Sequence, residues 1–451
     1  MWPETVGASS RSSLMPPPDR AVLVNHVAIA LARYGLDAAA VRELPVPALA
    51  FPDVRLPLRM AQVAVPAWAA DCAVDGALAV PAEACAAGGD CDWERVDWWL
   101  AAFLLLEAWH ERAWESEQGP VHSYSGRLEG WDSFVWQHAW VNRIALFLRA
   151  WALQRSDAQS LGPLPRTQVC ITHDVDAVRK TVAIRLKQSA FIAFNALRLA
   201  AAGRVGEAWR RARHAARFLL TPGDWSATLS DTLAMEQAAG VRSRLHVFAG
   251  RRGPSLRRWL FDPGYTLNAP ALQVVWAEAA RGGWVVGLHG SFDSWGAAPV
   301  LHAERERLGT ASHVPVRTCR QHWLRFSWQR TWAAQEEAGL QEDTTLMFND
   351  RPGWRNSAAL AWRPWDAGRG QAHELKALPT VVMDSHLYDY LPLSAAERSA
   401  ALCKWLDELV AVRGQAAVLW HPHTLSSDYG WREGFAELLA RVQDRPIEVV
   451  A

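Results

Sequence analysis

Apolar positions in the first third of the chain fall at helical spacing. Residues 22–34 carry them on one face, and 97–110 (DWWLAAFLLLEAWH) and 134–153 are denser stretches of the same kind, so helices are predicted at all three. Gly162-Pro163-Leu164-Pro165-Arg166 then reads as a linker. Beyond it the rhythm changes. Short strand-like runs recur at 169–172, 245–249, 284–288, 314–318, 378–383, 417–420 and 447–450, with helical stretches at 271–280, 327–338 and 395–412. Pro270 stands just ahead of the first of these helices, where its missing N–H costs nothing. Alternation of strand and helix predicts a parallel sheet or (β/α) barrel, whose chemistry gathers at the C-terminal strand ends.

A chain of 451 residues is long for one domain. The change of rhythm divides it into a Ser/Pro-rich, disordered 1–20, a smaller mixed α/β accessory domain at 21–160, and an α/β barrel domain at 165–451. The barrel domain carries a basic helical insertion at about 179–220. Lys+Arg and Asp+Glu both total 47, so global charge predicts no nucleic-acid partner. Locally the balance breaks: Arg179 to Arg217 holds ten Lys/Arg against one acid, Glu207, with apolar residues interspersed. Such a stretch predicts either a hairpin packed on the domain or a peripheral membrane contact. The N-terminus lacks the apolar core of a secretory signal, and no run is long enough to span a bilayer. The expected location is therefore the cytoplasm, peripheral to the inner membrane. Six scattered cysteines without a CxxC are then expected to be reduced, and Cys72, Cys85 and Cys91 lack an obvious fourth ligand for structural zinc. The 26 tryptophans include platforms for sugar faces, but most are expected in packing.

Four predicted strands end in polar clusters. The first ends in Thr172-His173-Asp174-Val175-Asp176, the second in His289-Gly290-Ser291-Phe292-Asp293, the third in Arg320-Gln321-His322-Trp323, and the last in His421-Pro422-His423. Single buried histidines and aspartates are usually structural; four such clusters in one domain point to a site. Together they hold the parts for metal-assisted hydrolysis: oxygen and nitrogen ligands, a second carboxylate as base, an imidazole as acid, and a guanidinium to hold the base ionised.

The order of these clusters resembles the NodB, or carbohydrate esterase family 4, polysaccharide deacetylases. The resemblance covers roughly 165–445 and implies a distorted (β/α) barrel of that type and deacetylation of an acetylated glycan. By it, Asp174 is the catalytic base, Arg320 its partner and His421 the catalytic acid. Asp176, His289, Asp293 and His322 are the implied ligands of a divalent metal, zinc foremost, and Ser291, Trp323 and Arg355 are implied substrate contacts. Two departures stand out. Val175 separates the carboxylates that the family motif places side by side, and Asp293 occupies the position of the family's second motif histidine. Two other readings remain beside this one: an amidohydrolase acting on a small non-sugar amide, and a glycan-binding protein with a degenerate site.

Overall fold

The computed structural model describes residues 17–86, 91–155, 161–223, 225–251, 255–391 and 393–451. Its N-terminal layer wraps helices around a small ribbon. α1 (Arg20–Ala30) and α2 (Ala39–Arg42) precede an antiparallel pair, β1 (Met60–Ala64) and β2 (Ala77–Pro81). α3 (Trp98–Leu106), α4 (Trp109–Gln118) and α5 (Trp140–Arg155) follow. Every residue of α3 is buried, as its unbroken apolar run demands: a helix apolar all round has no face to give to water. Asp97 caps it, accepting from the Leu100 N–H at 3.0 Å. The helix predicted over 97–110 is two helices, because Ala108 adopts φ +43° and breaks the run. Order also begins earlier than predicted. α1 starts at Arg20, which grips Asp97 at 2.7 and 2.9 Å; residues 1–16 of the segment expected to be disordered lie outside the described residues. Cys85 and Cys91 form a disulfide, with Cα atoms 5.9 Å apart, where reduced thiols were expected. Such bonds are rare in the cytosol.

The second part begins with β3 (Thr167–Val175), then the hairpin α6 (Val182–Ala201) and α7 (Val205–Leu220), and α8 (Thr228–Ala238). β4 (Arg244–Phe248), α9 (Leu256–Phe261), α10 (Pro270–Arg281), β5 (Val285–Gly290), α11 (Ala298–Ser312), β6 (Thr318–Gln321), α12 (Thr331–Glu337) and β7 (Glu342–Asp343) continue the alternation. A short antiparallel pair, β8 (Trp365–Asp366) with β9 (Gln371–Ala372), precedes β10 (Lys376–Ala377) and β11 (Thr380–Met383). α13 (Ala395–Ala411), β12 (Gln415–Leu419), α14 (Arg432–Gln443) and β13 (Ile447–Val449) complete the chain.

The main sheet is parallel throughout, in the order β10-β7-β6-β5-β4-β3-β12-β11, with β13 beside the start of β3. Its two ends, β10 and β11, are consecutive pieces of one extended segment, so the sheet closes into a distorted (β/α) barrel, as expected. Pro379 separates the pieces, since it has no N–H for a ladder. β6 lies later than its predicted span of 314–318. Its register with β5, Leu288 opposite Cys319, puts Arg320 inside the strand.

The N-terminal layer and the barrel share one apolar core, in which Trp98, Phe103 and Phe147 join Phe326, Trp332, Phe348 and Trp362. Glu107, fully buried, stitches the two parts together. It accepts from Trp362 Nε1 at 3.0 Å and from the Trp365 N–H at 2.9 Å, and pairs with Arg112 at 2.9 Å. The largest fully buried side chains include Trp98, Trp140, Trp225, Trp332, Trp354 and Trp420, so packing does claim much of the tryptophan.

Candidate active site

The C-terminal ends of β3, β5, β6, β11 and β12 converge. β3 delivers Asp174 within the strand and Asp176 just past it; alternation along the strand keeps the two carboxylates on one side, with Val175 turned away into the core. β5 delivers His289, and the turn after β6 delivers His322. Asp176 Oδ1 lies 3.1 Å from His289 Nε2 and 3.3 Å from His322 Nδ1, and the two ring nitrogens are 2.7 Å apart. Ligands about 2.0–2.1 Å from one tetrahedral zinc would be about 3.3–3.4 Å apart. These three atoms are therefore spaced to share one ion with little adjustment, and Asp176, His289 and His322 are a possible metal-holding group.

The hydrogen bonds behind the rings sharpen the point. His289 Nδ1 faces the Arg320 carbonyl at 3.0 Å, and His322 Nε2 faces the Phe261 carbonyl at 2.7 Å. A carbonyl only accepts, so each outer nitrogen carries the proton and each inner one presents a lone pair in the neutral ring. Two inner ring nitrogens facing each other beside the Asp176 carboxylate call for a positive charge among the three, which a shared metal ion or a proton on one ring supplies. Burial lowers the His289 pKa, but Asp174 and Asp176 outweigh it and raise the pKa overall. Asp176 is driven the other way: burial opposes its ionisation, yet His322, His289 and His421 hold it well below the carboxylate range. The donor set fits a divalent metal.

Asp174 lies outside this trio, its Oδ2 4.0 Å from His289 Nε2. Its Oδ1 faces Arg320 Nη1 and His246 Nδ1, each at 3.5 Å. Burial raises its pKa, but Arg320, then His289 and His246, outweigh that and keep it ionised. Arg320 is itself fully buried and fixed by Thr344 at 3.2 Å and Thr380 at 2.9 Å. His246, in the middle of β4, is pushed down to about 3 chiefly by burial, so it stands beside Asp174 as a neutral ring.

His421 follows β12. Its Nδ1 lies 2.7 Å from Asp384 Oδ1, its backbone N–H donates to Asp384 Oδ2 at 2.9 Å, and its Nε2 is 3.7 Å from Asp176 Oδ2. Burial lowers its pKa, but Asp384 above all raises it to about 9. Asp384, at the end of β11, also accepts from Thr424 at 3.0 Å and from the Ser385 N–H at 2.7 Å. His246 and Asp384 were not foreseen as site residues. The signals were available: an imidazole inside the apolar run of β4, and a carboxylate closing a predicted strand.

The other expected positions fall elsewhere. Asp293 does not join the ligands; its side chain is 44% exposed and pairs with Arg257 at 3.3 Å and Arg325 at 3.8 Å. The chain turns after Gly290, so a ligand four residues past His289 no longer faces the barrel mouth, and His322 takes the place. Ser291 is buried, its N–H donating to Glu304 at 3.1 Å, and does not line the cavity described below. Trp323 does line it, turned by a left-handed backbone at φ +58°. Arg355 is not a substrate contact. It is buried in an ion pair with Glu111, with Nη1 donating to the Met347 carbonyl at 3.1 Å. Removing one member of a buried pair strands the other, so Arg355→Ala is expected to cost about 3–5 kcal/mol in urea unfolding. A loss below about 1 kcal/mol would show the pair to be dispensable.

The site forms the floor of a cavity of about 980 Å³, lined by Asp174, Asp176, His289, His322 and His421 together with Tyr124 of the N-terminal layer and α6 and α9 residues. No family profile and no curated protein matches the chain. Among solved structures, it is similar to an assigned polysaccharide deacetylase from Mycobacterium smegmatis, at 20% identity over 64% of this chain and 89% of that one, with a TM-score of 0.39. It is also similar to a polysaccharide deacetylase from Bacillus cereus (10% identity, 63% and 92% covered, TM-score 0.31) and to a CE4-family pseudoenzyme from Bacillus anthracis (10%, 65% and 68%, 0.29). Overlaps this loose carry no weight for activity or substrate.

Proposed function

We propose that the chain hydrolyses the acetyl group of an acetylated sugar in a bacterial polysaccharide or glycan precursor, using a divalent metal held by Asp176, His289 and His322. The observation that carries this reading is the convergence of the inner nitrogens of His289 and His322 on each other and on Asp176 Oδ1. A divalent ion there, zinc by its mixed nitrogen and oxygen donors, supplies Lewis-acid polarisation of the acyl carbonyl and acidifies water. Asp174, kept ionised by Arg320, takes the proton of the attacking water. His421, kept protonated by Asp384, gives its proton to the departing sugar nitrogen or oxygen as the acyl bond breaks, and acetate is released. Arg320 and Asp384 are positioning residues; neither needs to touch substrate.

The cavity supports a glycan over a small amide. It is at the upper end of ligand-site volumes, and its wall includes Trp225, Trp259, Trp323 and Trp431. A separately placed base and acid support a catalyst over a degenerate binding protein. Residues 21–160 act in this reading as an accessory layer that contributes Tyr124 to the wall. The protein is expected to release acetate from N-acetylglucosamine oligomers or O-acetylated xylo-oligosaccharides, to lose that activity on chelation, and to regain it with zinc. Metal-loaded protein releasing no acetate from either would overturn the reading. Asp384→Asn should lower kcat about 10²-fold with little change in KM, since it disturbs the acid and not substrate binding; an unchanged kcat would remove Asp384 from the reaction.

A further inference from the structure

The α6–α7 hairpin carries apolar residues on its outer side as well as its inner one. Its inner side buries Ile192, Ala215 and Phe218 against Trp225 and also reaches the barrel through polar groups. Gln188 donates to Asp389 at 3.3 Å, Asn195 to the Asp389 carbonyl at 3.2 Å, Arg211 to the Tyr388 carbonyl at 2.6 Å and His214 to the Asp428 carbonyl at 2.9 Å. Its outer side is apolar. On α6, Val182, Leu186, Ala190, Phe194, Leu197 and Ala201 recur at three- and four-residue spacing, hence on one face, and all are exposed, Leu197 at 70%. On α7 the same holds for Val205, Trp209, Ala212, Ala216 and Leu220, with Trp209 at 60% and Leu220 at 73%. Exposed Arg210, Arg213 and Arg217 flank this second stripe. α9, which packs on α6, adds exposed Leu256 and Trp259. A surface helix of a water-soluble fold turns such a stripe inward and its polar residues out.

The cavity opens at this face, for Val182, Phe194 and Trp259 both line it and stand exposed. Lys187 and Arg198 line the same wall, cations suited to a phosphate that joins a sugar to a lipid. An apolar stripe with an arginine collar matches the surface of an anionic bilayer, apolar to the acyl boundary and basic to the headgroups. No helix among the described residues is long and apolar enough to cross a membrane, so the contact is peripheral.

We propose that the outer face of α6, α7 and α9 docks on an anionic lipid bilayer, and that the cavity takes its acetylated sugar from that surface as a lipid-anchored glycan phosphate. The substrate half rests on the deacetylase reading; the docking half does not. The test is sedimentation of the full chain with phosphatidylcholine vesicles, with and without phosphatidylglycerol. It is run beside the triple variant Leu197→Ser, Trp209→Ser, Leu220→Ser and the double variant Arg213→Glu, Arg217→Glu, all at exposed positions. Wild type should pellet with the phosphatidylglycerol vesicles, and each variant should partition at least tenfold less. No pelleting of wild type, or pelleting that survives the serine substitutions, overturns docking. So does a wild-type dimer that these serines dissolve, which would make the face an interface between copies. For the substrate half, an N-acetylglucosaminyl phospholipid in those vesicles should be deacetylated at least tenfold faster than soluble N-acetylglucosamine oligomers, and equal rates overturn it. Vesicle binding without acetate release from any substrate counts against the deacetylase reading alone.

Discussion

Asp174→Asn is expected to lower acetate release about 10³- to 10⁴-fold while the protein stays folded and keeps its metal. Three features of the site set that expectation. The carboxylate is ionised, because Arg320 and the neighbouring imidazoles overcome the cost of burying it. It lies outside the ligand trio, 4.0 Å from His289, so an amide in its place leaves Asp176, His289 and His322 intact. An amide has the same shape but cannot take a proton from water. The counter-effect is on Arg320, which loses its nearest anion in a fully buried position. Its hydrogen bonds to Thr344 and Thr380 remain, so the variant should unfold at lower denaturant yet be native without it. Rates are therefore referred to metal-loaded, folded protein. Turnover within tenfold of wild type would assign the base elsewhere.

What the sequence disclosed, and what it hid, follows from the range of the interactions involved. The strand ending in Asp174 and Asp176 was legible because burial on both faces writes a continuous apolar run, and a carboxylate at its end breaks the run visibly. The closing helix α13 and the parallel alternation have the same local origin, whereas α14 was not foreseen. The break at Ala108 did not show, because nothing in an apolar helix sequence marks an alanine that tertiary packing forces to positive φ. Arg355 was expected to contact substrate or to form a surface ion pair; its partner Glu111 lies in α4, 244 residues away, and no spacing rule reaches that far. The hairpin was legible as basic and amphipathic, but not which side faces out. That depends on Asp389 and the Tyr388 and Asp428 carbonyls, far along the chain.

The third candidate ligand is the sharpest case, and metal affinity decides it. Asp293 and His322 were both expected beside Asp176 and His289, and the fold brings only His322 there, from the next strand end 33 residues on. Asp293→Ala is expected to leave metal stoichiometry and affinity unchanged, because that carboxylate is spent on Arg257 and Arg325 at the surface. His322→Ala should weaken zinc binding by at least about 10²-fold. Losing only the group behind a ligating histidine typically costs about 10–100-fold, and losing the ligand cannot cost less. A chromophoric chelator competing for zinc reads both variants without reference to catalysis. The opposite result, metal lost with Asp293→Ala and kept with His322→Ala, would mean that the loop after β5 swings in when the ion binds. The Phe261 carbonyl at 2.7 Å from His322 Nε2 argues against that, for it holds the ring with its free nitrogen already aimed at Asp176 and His289.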